Sequence, residues 1–189
     1  MRRMLWHDTR VEGESPKLAS NTHHSNEDSD IDGSINWVAS YAKSQGGLSE
    51  LIIICHGAYV SANAVRGVTD ASTPIPGFGL VLCKQKLHLG NINKVQVWKP
   101  WIQRVTIYAC GAARTEPGNE GTWGDGMRLM GEFAIYSGAY VIAPRDPQTY
   151  SHSTGWFSSA IDFGQWEGPV YAFDPRDGKG KPYSPGQMR

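Results

Sequence analysis

The fold turns on Val105–Thr106–Ile107–Tyr108–Ala109–Cys110–Gly111. Val105 to Ala109 is β-branched and aromatic, and a glycine breaks the run directly after a cysteine. Such a run reads as a buried strand that delivers its last side chain to the edge of a sheet. A second stretch, Leu51–Ile52–Ile53–Ile54–Cys55–His56–Gly57, has the same form but ends on a histidine. Its four consecutive aliphatics imply burial on both faces, as in a central strand of a parallel sheet. Two neighbouring parallel strands of this kind set an imidazole beside a thiol.

Helical patterns fall between these runs. Ile31, Ile35, Val38 and Ala42 recur at helical spacing, with Asp30 or Asp32 able to cap the start and Gly46–Gly47 able to close the end. Asp125 can cap a second helix, Gly126–Tyr136, closed by Ser137–Gly138. Tyr140–Ala143 then reads as another buried strand and Val170–Phe173 as a last short one. Phe78–Leu82 and Lys86–Leu89 read as a small hairpin turning near Lys84–Gln85, and Asn91–Trp98 as a short helix limited by Pro100. Met4–Val11 is a weakly marked first strand. Glu12–Asp30 is polar and reads as a solvated loop, Ala58–Pro76 as a long loop, and Thr149–Gly164 as partly helical. The sequence therefore predicts one α/β domain, a three-layer sandwich on a mainly parallel sheet. Its parts are an N-terminal strand and polar loop (1–30), a catalytic body (31–175) and a flexible tail (176–189).

Composition narrows the partners. The chain has 189 residues, with 18 basic and 18 acidic side chains that balance and do not cluster, so neither nucleic acid nor an anionic membrane is indicated. No apolar run is long enough to span a bilayer and no secretory signal is seen, which points to the cytoplasm. Three cysteines without CxxC spacing argue against a disulfide framework. The pair His23–His24 lies in a polar stretch without the spacing of a metal site.

The chemistry follows from what a cysteine needs. A free thiol of pKa about 8.5 is mostly protonated at neutral pH, and a nearby imidazole can take its proton and return it to a leaving group. Glycine turns supply backbone N–H groups for the oxyanion. His56–Gly57 and Cys110–Gly111 contain all of these parts, 54 residues apart (110 − 56). The caspase signature has its histidine roughly 50 residues upstream of its cysteine.

An apolar block ending in His–Gly, followed by one ending in Ala–Cys, resembles the caspase-like (clan CD) cysteine peptidases, in the outline of the metacaspases and CHAT domains. The resemblance implies the caspase-like fold and a dyad of His56 and Cys110, with the N–H groups of Gly57 and Cys110 facing the oxyanion. It also implies a protein or peptide substrate along Pro144–His152, and chemistry that needs no metal or organic cofactor. Asp8, Arg145, Asp146 and Ser151 are the candidate substrate-binding residues. Tyr108 stands where caspases carry a glutamine, so the chain departs from caspases proper. Endopeptidase activity is the expected function, with self-processing among its forms. A cysteine-dependent deamidase or acyl-transfer effector would use the same dyad, and a non-catalytic interaction module would use neither residue.

Overall fold

A computed structural model describes residues 2–62, 78–152 and 160–184. The elements in chain order are β1 (Arg3–Asp8), β2 (Asn21–Ser25), α1 (Ile31–Ser44), β3 (Glu50–Ile54), β4 (His56–Ala58) and β5 (Gly79–Val81). A 3₁₀ helix (Ile92–Trp98), β6 (Arg104–Tyr108), α2 (Gly126–Ser137) and β7 (Tyr140–Pro144) follow. The chain closes with β8 (Ser151–His152), β9 (Ile161–Asp162), β10 (Val170–Phe173) and β11 (Gly180–Pro182). A seven-stranded sheet runs β11-β10-β7-β6-β3-β1-β2. Its five strands from β7 to β2 are parallel, and β10 and β11 extend it antiparallel.

The caps form as the sequence predicts. The Asp30 carboxylate accepts the Gly33 N–H at 2.7 Å to start α1. Asp125 accepts from Arg128 at 3.0 Å to start α2, which ends at Gly138 in a left-handed conformation. Ile31, Ile35, Val38 and Ala42 bury one face of α1 in the main core, together with Trp98 of the 3₁₀ helix and Phe133 of α2. From the strands this core takes alternate residues: Met4 and Trp6, Leu51 and Ile53, Val105 and Ile107. The three helices among the described residues therefore lie against one face of the sheet. The other face buries Leu5, Ile52 and Ile54 with Val11 and Ile161, under loop residues such as Ala19, Tyr150 and Phe163. The layers are helices, sheet and loops.

Four segments differ from the sequence expectation. The polar stretch 12–30 contains strand β2, which pairs along its full length with β1. Its side chains are partly exposed until Ser25, so its composition resembles a loop although its backbone is paired. The tail contains β11, paired to β10 through Gly180, Lys181 and Pro182, so the chain is ordered here where fraying was expected. The expected hairpin reduces to one reciprocal pair, Leu80 with Leu87 at 2.9 Å both ways, because β5 pairs with β4 instead. Within Thr149–Gly164 the described residues form β8 and β9, an antiparallel pair rather than helix. Residues 153–159, with Trp156, and 63–77 of the expected long loop lie outside the described residues.

Histidines held wholly or partly out of water make this fold sensitive to acid. His7 is 1% exposed, with Nε2 on the Val11 carbonyl at 2.9 Å and Nδ1 on the Ser15 hydroxyl at 2.7 Å. Burial holds its pKa below the ordinary value, with nearby His24 adding to the effect and Asp8 and the Val11 carbonyl opposing it. His23 and His88 are lowered for the same leading reason. A histidine depressed in the folded state binds more protons when unfolded, so stability is full above pH about 6.5 and declines as pH falls toward the folded value. The urea midpoint should therefore drop between pH 7.5 and 5.5. His7→Gln should flatten that slope, and an unchanged slope would contradict the assignment.

Candidate active site

The two strand ends meet at the carboxyl edge of the sheet, where open α/β folds place their sites. β3 and β6 are parallel neighbours with Ile54 opposite Tyr108. The Cys55 N–H donates to the Tyr108 carbonyl at 3.2 Å, so His56 and Cys110 both follow closely on the ends of adjacent parallel strands. The approach is closest at Gly57: a Cβ there would lie 2.0 Å from the Cys110 carbonyl oxygen and 3.1 Å from its nitrogen. Only glycine lets the β4 backbone rest on the Cys110 peptide. Gly111, at φ +59°, turns the chain away immediately afterwards.

Each reactive side chain has a defined partner. His56 is exposed, and its Nε2 lies 3.0 Å from the Arg10 carbonyl. A carbonyl only accepts, so Nε2 carries a hydrogen, and Nδ1 is the basic nitrogen of the neutral ring. The half-buried Cys110 thiol donates to the Gln148 carbonyl at 3.4 Å. The Cys110 N–H donates to no acceptor among the described residues, whereas the Gly111 N–H is taken by the Asp146 carbonyl at 3.3 Å. The other two cysteines are different in kind. Cys55 and Cys83 are buried, and burial pushes both thiols above the ordinary value, Cys55 well above it.

The expected substrate-binding residues separate. Asp8 is fully buried and not open to a ligand. Its carboxylate pairs with Arg10 through Nε at 2.6 Å and Nη2 at 2.7 Å, and accepts the Cys83 N–H at 3.0 Å and the Ser25 hydroxyl at 3.1 Å. Burial alone would raise its pKa, but the Arg10 guanidinium and the Cys83 and Arg10 N–H groups outweigh it and hold the carboxyl below the usual range. Arg145 and Asp146 stand beyond β7, paired with each other at 3.3 Å. Their loop runs beside Cys110, as the Asp146 and Gln148 carbonyl contacts show. Ser151 is exposed on β8.

Sequence reasoning missed the residues that hold the site. Arg10 anchors Asp8, reaches the Val81 and Cys83 carbonyls through Nη2 at 3.1 and 3.0 Å, and presents its own carbonyl to His56. Its only local signal was an arginine two residues beyond an aspartate at a strand end. Gln148 is 5% exposed, its side-chain N–H on the Glu167 carbonyl at 2.8 Å and its side-chain oxygen accepting the Glu167 N–H at 3.1 Å. This reciprocal pair fixes the carbonyl that the thiol meets. Arg114 stacks over Tyr59 at 4.4 Å, and both flank Gly111.

Among the described residues no group of three or more His, Cys, Asp or Glu side chains could hold a metal, and no helix is long and apolar enough to cross a membrane. In comparison with known proteins, no family model matches the chain, and no curated protein or solved structure is significantly similar to it. The class that fold and site define is an α/β protein with a histidine and a cysteine at adjacent strand ends.

Proposed function

We propose that this protein is a cysteine peptidase of the caspase-like kind, with Cys110 as nucleophile and His56 as general acid and base. The observation that supports the reading is the close approach of Gly57, next to His56, to the peptide of Cys110, beyond the ends of two adjacent parallel strands. In the reaction the thiol leaves the Gln148 carbonyl and passes its proton to His56 Nδ1, and the sulfur attacks the substrate acyl carbon. The Cys110 N–H, which has no acceptor among the described residues, faces the resulting oxyanion. Collapse expels the amine, which takes the proton from His56 and leaves a thioester. Water then attacks the thioester with His56 as base, and the acid product and free thiol are regenerated.

The test is cleavage of a mixed peptide library, together with the pH dependence of Cys110 alkylation read by mass spectrometry. Cys110→Ala and His56→Ala should each reduce cleavage by at least about a thousandfold while the circular dichroism spectrum is retained. Alkylation of Cys110 should be fast well below pH 8 and slow without His56. Cleavage that survives in Cys110→Ala would end the proposal. Ammonia release from a glutamine-bearing protein, without peptide cleavage, would assign the dyad to deamidation instead.

A further inference from the structure

Arg3, Glu50 and Arg104 open three adjacent parallel strands and stand side by side at the amino edge of the sheet, the end away from Cys110. Glu50 is buried, pairs with Arg3, whose Nε lies 2.9 Å from its Oε2, and accepts from Arg104 Nε at 3.1 Å and the Thr106 hydroxyl at 2.7 Å. Arg104 is thus held by its Nε edge, and Arg3 is ion-paired on the same side. Their terminal nitrogens have no acceptor among the described residues. Beside them, on the face without helices, lies a cavity of about 190 Å³, walled by Tyr108 stacked on Trp166 at 4.5 Å. Two guanidinium groups against one carboxylate leave this cavity one net positive charge.

We propose that this cavity is a binding site for a small monoanionic oxyanion, a carboxylate or a phosphate. Guanidinium forks match the paired oxygens of both. The volume is below the 300–1,000 Å³ or so of pockets for drug-sized ligands, which limits the occupant to a few heavy atoms beyond its charged group. Partial burial against aromatic and aliphatic walls strengthens the attraction relative to water. Glu50 has two roles: it orients the arginines, and it competes with the ligand for them. A triad that served only to join three strands would show no response to added anion.

The test is calorimetric titration of the whole protein with sodium phosphate, and separately with benzoate, at ionic strength held constant with chloride. Saturable binding of one equivalent is expected, and the probe that saturates identifies the ligand's acid group. Arg104→Gln should weaken binding at least about tenfold. Glu50→Gln removes the competing charge and should tighten it several-fold, a direction that damage to the fold would not produce. If Arg104→Gln does not fold, Arg104→Lys, which keeps the charge and loses the fork, should bind more weakly than the native protein. Cys110→Ala should bind like the native protein, so the site stands or falls separately from the peptidase reading. Absence of saturable heat with either probe, or equal affinity in both charge variants, would overturn the proposal.

Discussion

Alanine in place of Asp8 should destabilise the protein by about 3–5 kcal/mol, the range seen when one member of a buried ion pair is removed. The loss removes the charge partner of the Arg10 guanidinium and leaves the buried Cys83 N–H without its acceptor at 3.0 Å. The damage should spread to the site, because the Arg10 carbonyl is the partner of His56. Urea unfolding measures the first effect, and the alkylation profile of Cys110 the second. A midpoint close to the native one would show that the pair is dispensable. Since the Asp8 carboxyl is depressed in the folded state, its stabilisation is complete above pH about 4 and lost as pH falls through its folded value. That window is more acidic than the histidine window and separable from it.

The second large effect is expected from Gly57→Ala. The added carbon would fall 2.0 Å from the Cys110 oxygen and 2.9 Å from its carbonyl carbon. Both are backbone atoms that cannot rotate away, so β4 must lift off the β6 end. Overpacking costs about 1–3 kcal/mol and sometimes more, or several degrees in melting temperature for a chain of this size. Cys110 alkylation should also lose its dependence on His56. A variant with native stability and a native alkylation profile would show that the two peptides are not in contact.

Much of the architecture was legible because its signals are local. Leu51–Ile54 and Val105–Tyr108 are apolar enough to demand burial, Asp30 and Asp125 cap the helices they precede, and the histidine and cysteine follow the strands directly. What stayed hidden depends on partners distant in sequence. Asn21–Ser25 is a strand only because β1 pairs with it, and its exposed side chains carry no apolar alternation. Gly180–Pro182 is too short and too rich in turn residues to announce itself. Asp8 was read as an accessible pocket residue because nothing local shows that Arg10 and Cys83 would enclose it. Gln148 gave no signal, since its role rests on the Glu167 backbone 19 residues on.

The three cysteines also supply the protein with its own probes of local opening. Cys55 lies on the central strand path, Cys83 beneath the Arg10 anchor and Cys110 at the surface edge, and they are 3%, 0% and partly exposed in turn. Pulsed thiol labelling during unfolding would time three separate events without any engineered label. Cys83 would report release of the Asp8–Arg10 pair, Cys55 rupture of the sheet, and Cys110 movement of the Gln148 loop. If Cys110 labels at a rate far above global unfolding while the other two do not, the loop beside the thiol opens as an independent unit of the native state.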